Sequence, residues 1–201
     1  MGDLFSSFNN DSALVYYTRG YDKSLEIGDS INAFRFRAKR ATMMPLSGFV
    51  MDAVNEYEAI NASALPPQEI PFYHTSGRQM YSYISSLFTN YPDTRNFWNQ
   101  KVIAHRDSLL NVLDHKSLTY DLYYGEDLIE KGDYKRAKVI LLELLDHITP
   151  NSNLYARACH MLATIAREKG NREEETYYLA LSAMADIKGA VREVMSLQEL
   201  G

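Results

Sequence analysis

Cysteine and long apolar runs are nearly absent from this chain of 201 residues. Its single cysteine, Cys159, excludes an internal disulfide framework and a zinc site built from several cysteines. No apolar run approaches the ~20 residues needed to cross a bilayer. The N-terminus has neither the basic start nor the apolar stretch of a signal peptide. These absences do not decide the compartment, because many exported proteins also lack disulfides.

Clustered charge of one sign is also scarce. The formal net charge is −5, and the basic residues are scattered apart from one group at Arg35, Arg37, Lys39 and Arg40. On a helix these side chains spread over more than one face, so we interpret them as a solvated surface rather than a phosphate-binding stripe. We therefore expect this segment to bind no nucleic acid.

Motifs for catalysis and metal binding are missing as well. No two histidines have the i, i+4 spacing of a helical zinc pair, and His-Glu-x-x-His does not occur. Nucleophile motifs of the Ser-x-x-Lys and Gly-x-Ser-x-Gly types are absent, and so are glycine-rich phosphate loops. We interpret Cys159 as a small buried residue. The sequence predicts no catalytic residue, no cofactor and no metal site, and so no enzyme.

Helical periodicity is what the sequence does contain. Sustained alternation of apolar and polar residues, the signal of a strand, is absent. Apolar residues recur instead at steps of three and four, as at Leu141, Leu144 and Ile148. The 15 tyrosines suit helix–helix seams, because the ring fills space while the hydroxyl reaches a polar partner. Alternatively, some of these rings line a binding groove. The chain is predicted to be all-α.

A short pattern recurs at repeat distance. Gly132 is followed five residues later by Ala137, Gly48 is followed in the same way by Ala53, and Gly170 lies 38 residues after Gly132. A large residue followed by a small one recurs at the same step in three pairs: Tyr124-Gly125, Leu162-Ala163 and Leu200-Gly201. Such a pattern is typical of stacked helical hairpins, in which only small residues let two helix backbones cross closely.

Capping residues and breakers divide the chain into ten helices. Asp11-Ser12 is predicted to cap the first helix, and three prolines, Pro66, Pro67 and Pro71, predict an extended connector over residues 62–76. The predicted helices cover about 11–27, 30–45, 49–61, 77–90, 97–113, 117–131, 134–148, 153–169, 172–187 and 189 onward.

This pattern resembles the tetratricopeptide repeat (TPR), with its small residue at position eight, Gly at fifteen, Ala at twenty and Pro near the end. Residues 118–150 match at Gly125, Gly132, Ala137 and Pro150. The resemblance implies a single right-handed α-solenoid of antiparallel hairpins with about 9–10 helices. Its predicted parts are a half repeat (1–27), a repeat (30–66), a divergent repeat (68–115), two repeats (118–150 and 153–187) and a half repeat (189–201). Because both ends look cut, we expect a fragment of a longer protein.

Two segments, residues 72–83 and 191–200, are similar to one bacterial family of TPR sensor–regulators. In that family an exported repeat array precedes one transmembrane helix and a cytoplasmic output region. The resemblance implies a periplasmic location and a role in signal input, with a parent protein anchored in the membrane. A cytoplasmic location is the alternative.

The TPR resemblance also implies which residues line the concave groove, because first helices present their second, fifth, ninth and twelfth positions there. Arg157 and Arg167 fall nearly on one face and would suit an anionic terminus or acidic side chain of a peptide. Alternatively, both arginines are simply solvated. The groove candidates are Thr119, Leu122, Glu126, Ile129, Arg157, His160, Thr164 and Arg167, with Arg78 and Tyr81 from the divergent repeat.

The predicted function is therefore a non-enzymatic scaffold that binds a peptide or protein in its concave groove, as the sensory or interaction region of a bacterial regulatory protein. Occupation of the groove would be coupled to a small change in superhelical pitch. The alternative is a self-assembly module that binds copies of itself and has no separate ligand.

Overall fold

The computed structural model describes residues 10–188. The predicted half repeat at 189–201, and with it Leu200-Gly201, lies outside the described residues. Residues 10–188 form nine α-helices and no strand, which confirms the all-α prediction. These helices are α1 (Asn10–Glu26), α2 (Ser30–Met43), α3 (Val50–Glu58), α4 (Ile70–Leu87), α5 (Pro92–Val112), α6 (Leu118–Glu130), α7 (Tyr134–His147), α8 (Asn153–Glu168) and α9 (Arg172–Lys188).

Glycine turns and polar caps set the helix boundaries in the second half of the chain. Gly132 and Gly170 have φ angles of 76° and 70°, a left-handed conformation that glycine adopts without strain. The side chain of Asp133 accepts a hydrogen bond from the backbone N–H of Arg136 and so caps α7. Ser152 caps α8 in the same way. These turns lie where the repeat pattern predicted them.

The proline-rich segment differs from the prediction. Instead of an extended connector over 62–76, it contains two 3-10 turns, Ala62–Ala64 and Pro67–Glu69, followed directly by α4. Pro71 occupies the first turn of α4, where a backbone N–H would have no helical partner in any case. The predicted helix start at Gly77 is therefore wrong. The predicted start at Phe97 is wrong for the same reason, because α5 begins at Pro92.

The first helix also begins earlier than predicted. Its first residue is Asn10, so Asp11 and Ser12 are helical residues rather than the cap. Asp11 then lies in the first turn, where a negative charge interacts favourably with the helix dipole.

The chain divides into two compact units, Met1–Val112 and Leu113–Gly201. In unit 1, α2 packs against α1, α3 and α4, and α4 packs against α5. Ala38, Ala41 and Ala53 are fully buried there, so small residues occupy the helix contacts as predicted. The largest fully buried side chains of unit 1 include Tyr57, Tyr81, Met80, Ile84 and Leu109.

The described part of unit 2, residues 113–188, contains two helical hairpins, α6–α7 and α8–α9, and α8 contacts both helices of the preceding hairpin. Gly125 of α6 lies so close to α7 that a Cβ atom there would stand 2.9 Å from Leu141 Cδ2. Ala137 and Ala163 are buried in the same core. The packing role of these small residues is therefore confirmed. A single array running through both units stays a prediction.

Candidate functional site

The groove candidates of unit 2 lie on its two first helices, α6 and α8, which contact each other. Leu122 is fully buried and belongs to the hydrophobic core, so it has no surface to offer a ligand. Arg167 is exposed near the end of α8. The remaining six candidates are half-buried: Thr119, Glu126, Ile129, Arg157, His160 and Thr164. We call the surface formed by Glu126, Ile129, Arg157, His160 and Thr164 the α6–α8 face.

Glu126 and Arg157 form a contact between the two hairpins at this face. Arg157 Nη2 lies 3.6 Å from Glu126 Oε2, and each side chain is 21% exposed. The Arg157 guanidinium also lies over the ring of Tyr123, 5.0 Å from its centre, in a cation–π contact. Both side chains are mostly buried and Nη2 is fully buried, so a ligand would reach this nitrogen only by displacing Glu126.

The two arginines predicted to form a cationic stripe each have a carboxylate beside them. Arg157 faces Glu126, and Arg167 Nε donates to Glu175 Oε1 at 2.6 Å. Glu175 stands where the repeat pattern expects alanine, and its side chain reaches back to the first helix of its own hairpin. Because each positive charge is balanced, an anionic ligand would compete with a carboxylate of the protein for either arginine.

His160 and Thr164 lie one helical turn apart on α8, between the two arginines. The Thr164 hydroxyl donates to the His160 carbonyl oxygen at 3.1 Å, a contact within the helix. A threonine hydroxyl that donates to its own helix can still accept a hydrogen bond from a ligand.

The two candidates of unit 1 are placed differently from each other. Arg78 is half-buried on α4, whereas Tyr81 is 1% exposed. The Tyr81 hydroxyl donates to Glu58 Oε1 at 3.0 Å, and its ring stacks on Trp98 with 5.8 Å between the centres. Tyr81 is therefore a core residue rather than part of an open groove. The periodicity did not predict this, because the repeat signature is absent from this part of the chain.

A histidine pair in unit 1 was missed by sequence reasoning. Nδ1 of His74 on α4 and Nδ1 of His105 on α5 lie 3.0 Å apart, so one imidazole donates to the other. The tyrosines Tyr57, Tyr73 and Tyr81 pack around the pair. The two histidines are 31 residues apart in sequence, and only the pairing of α4 with α5 brings them together. No local spacing rule could have found them.

Burial keeps this pair uncharged. Desolvation lowers the pKa of His74, and it lowers the pKa of His105 to about 4, with His74 and Lys101 adding to the shift. At neutral pH both rings are therefore neutral. The proton between them is held in the Nδ1–Nδ1 hydrogen bond.

Acidification should therefore destabilise unit 1. The unfolded chain binds a proton at His105 below its ordinary pKa of 6.5, whereas the folded chain binds it only near 4. The free energy of unfolding should fall as the pH is lowered from 6.5 to 4, by about 2 kcal/mol once partial solvation of the ring is allowed for. Urea unfolding at pH 7.5 and 4.5, followed by the fluorescence of Trp98, measures this change.

The matched variants are His105→Gln and, as control, the exposed His115→Gln. Carboxylates titrate equally in all three proteins, so only the difference between them reports on His105. His105→Gln should lose less stability on acidification than the wild type, and His115→Gln should lose as much. Equal losses in all three proteins would contradict the assignment.

Other groups of the described chain offer little to a reaction. Cys159 is fully buried, and burial raises the pKa of its thiol to about 12, so the reactive thiolate does not form near neutral pH. Within residues 10–188 no three His, Cys, Asp or Glu side chains gather as metal ligands. No helix of that same range combines the length and the apolar character that a membrane span requires.

Comparison with known proteins gives one result. A family model described as SusR N-terminal TPR domain matches residues 1–201. Neither the curated proteins nor the solved structures provide a match. The match covers the whole chain and confirms two predictions, the TPR-like α-solenoid and the resemblance to TPR proteins of bacterial sensor–regulators.

Proposed function

Because this chain belongs to the family of SusR N-terminal TPR domains, we propose that it binds a peptide or protein segment on the α6–α8 face as the input region of a bacterial regulator. TPR domains are in general non-enzymatic scaffolds for protein interaction, and their stacked hairpins present extended concave surfaces. We propose further that the ligand binds at the α6–α8 face and presents a carboxylate there.

The observation that carries the proposal is the pairing of Glu126 with Arg157 across two hairpins. Arg157 Nη2 and Glu126 Oε2 are 3.6 Å apart, longer than a direct hydrogen bond, and each side chain is 21% exposed, although Nη2 itself is buried. A ligand carboxylate that replaced Glu126 could form a shorter, bidentate contact with Arg157. Ile129 on α6 and His160 on α8 would contact the neighbouring residues of such a ligand.

Peptide binding by the 201-residue chain tests this proposal. A peptide library with free C-terminal carboxylates is compared with the same library carrying amidated C-termini, and captured sequences are then measured by calorimetry. We expect capture to favour the free carboxylate or acidic side chains. Arg157→Gln should weaken the selected peptides about ten-fold or more, because a charged hydrogen bond is lost.

Two further variants separate binding from folding. Glu126→Gln removes the internal competitor and should keep or raise the affinity. Arg172→Gln removes an exposed arginine of α9, outside the α6–α8 face, and should change nothing. Thermal unfolding should show all three variants folded at the temperature of the binding assay, with Arg157→Gln the least stable, because its side chain is mostly buried and contacts Tyr123. Equal peptide binding by Arg157→Gln and the wild type would exclude this face as the site.

The compartment and the signalling role belong to the same proposal. Both are supported by the resemblance of the chain to exported TPR arrays of single-span regulators. We propose that the chain is periplasmic and that groove occupation changes the pitch between its hairpins.

Crystals with and without a captured peptide test the coupling, and identical hairpin angles in both would refute it. Fractionation of cells that express the protein tests the location, and recovery in the cytosol would refute that part.

A further inference from the structure

The solvent-facing side of α7 exposes two large apolar residues next to each other. Val139 is 52% exposed and Leu142 is 38% exposed, although both belong to the helix that supplies Leu141 and Leu144 to the core of unit 2. The apolar pair is flanked by the exposed Lys135 toward the start of the helix and by the exposed Asp146 toward its end.

The spacing of these four residues is that of a helix–helix seam. Lys135, Val139, Leu142 and Asp146 follow one another at steps of four, three and four. This is the heptad spacing by which apolar positions of one helix face those of another. The four residues therefore form one continuous stripe, which we call the α7 seam.

The α7 seam is complementary to itself. Lys135 and Asp146 lie equally far from the midpoint between residues 140 and 141, and Val139 and Leu142 are also equidistant from it. A two-fold axis through that midpoint would place Lys135 of one copy opposite Asp146 of the other, with Val139 opposite Leu142. A parallel arrangement would instead place like charges opposite each other.

We propose that the α7 seam is a self-association surface, on which a second copy of this chain binds antiparallel about a two-fold axis. Burial of Val139 and Leu142 supplies the attraction, and the two Lys135–Asp146 contacts select the antiparallel orientation. Lys138 and Glu143 are related by the same symmetry, but Lys138 contacts Glu174 of its own chain, so the proposal does not use it. This surface is distinct from the α6–α8 face and does not depend on peptide binding.

The size of the seam sets the strength of the dimer. Eleven steps of about 1.5 Å give a contact about 17 Å long. One helix pair of this length buries less than the roughly 1,200 Å² that marks the lower limit of standard interfaces. The dimer is therefore weak, with a dissociation constant in the micromolar to millimolar range, and it weakens further as salt screens the end contacts.

Sedimentation velocity of the 201-residue chain over rising concentration tests the proposal at low salt. Lys135→Glu creates a seam with two acidic ends, and Asp146→Lys creates one with two basic ends. Each variant should raise the dissociation constant about ten-fold or more, because like charges then face each other in the dimer. The double variant Lys135→Asp with Asp146→Lys restores opposite charges and should associate like the wild type.

The decisive sample is an equimolar mixture of Lys135→Glu and Asp146→Lys. The acidic copy faces the basic copy at both ends of the seam, so the mixture should associate more tightly than either variant alone. Lys116→Glu is the control for Lys135→Glu, because it makes the same change in net charge at an exposed residue outside α7. This control should associate like the wild type. Circular dichroism verifies that every variant is folded.

Three results would overturn the proposal. The first is a wild type that stays monomeric at a protein concentration of about 1 mM, the upper end of the expected dissociation constant. The second is a dimer whose dissociation constant is unchanged by the single charge reversals. The third is a mixture that associates no better than its separate components. Each of these results would mean that α7 is not the contact between copies.

Discussion

Gly77→Ala is expected to destabilise unit 1 by about 3 kcal/mol, although the same exchange inside a helix ordinarily stabilises it by up to about 1 kcal/mol. Gly77 lies within α4, where Tyr57 of α3 and His105 of α5 approach its backbone. A Cβ atom there would stand 2.2 Å from Tyr57 Oη and 2.6 Å from His105 Cε1. These distances are far inside van der Waals contact, so atoms on both sides must move.

The neighbours of Gly77 have little freedom to move. Tyr57 is 1% exposed, its hydroxyl donates to the Tyr73 carbonyl oxygen at 2.6 Å, and its ring stacks on that of Tyr73. His105 is held by its hydrogen bond to His74. Accommodation of one methyl group would therefore disturb the whole aromatic cluster. Interiors of this kind respond to overpacking with displaced side chains and lost stability.

Urea unfolding followed by tryptophan fluorescence measures the effect, because Trp98 is the only tryptophan of the chain and lies against Tyr81 in this cluster. Gly20→Ala is the matched control. A Cβ atom at Gly20 would stand 2.7 Å from the ring edge of Phe36, which is half-buried and can rotate. Gly20→Ala should change stability by no more than about 1 kcal/mol. A Gly77→Ala variant as stable as this control would show that α3, α4 and α5 pack less tightly than described.

Gly77 also marks the limit of sequence reasoning about the fold. The repeat pattern identified Gly125, Gly132 and Gly170 correctly, because each is part of a signature with a fixed lag. Gly77 belongs to the divergent hairpin, which has no signature, and the sequence predicts a helix start at this position. Its partner Tyr57 is 20 residues away, across the proline-rich segment whose conformation was also predicted wrongly. Only the packing of three helices explains why this position is glycine.

The candidate site was predictable in part for a similar reason. Repeat positions placed Glu126 on α6 and Arg157 on α8, and both are half-buried on neighbouring first helices. The periodicity could not show that the two side chains pair, because the contact depends on how one hairpin stacks on the next. It likewise counted Leu122 as a groove residue, although this side chain turns into the core. One repeat position can face either a ligand or the next hairpin, and the sequence of a single chain does not distinguish the two.

Gly125→Leu is expected to destabilise unit 2 by about 2–3 kcal/mol, whereas Gly125→Ala should leave its stability within about 1 kcal/mol of the wild type. An added Cβ atom would stand 2.9 Å from Leu141 Cδ2 and 3.1 Å from Leu141 Cγ. If the Leu141 side chain shifts by a few tenths of an ångström, alanine fits at position 125. The higher helix propensity of alanine offsets the remaining strain. Leucine at position 125 adds three more carbon atoms toward the side chain of Leu141. Because Leu141 is fully buried, it has no space for a larger shift.

A double-mutant cycle identifies the crossing of α6 and α7 as the cause. Leu141→Ala alone should cost about 3 kcal/mol, because it leaves a cavity in the core of unit 2. Combined with Gly125→Leu, it moves the large side chain from one helix to the other and roughly conserves the volume at the crossing. The double variant should therefore be at least about 1 kcal/mol more stable than the sum of the two single effects predicts. Thermal unfolding followed by circular dichroism measures all four proteins, and strict additivity would mean that Gly125 and Leu141 do not share one crossing.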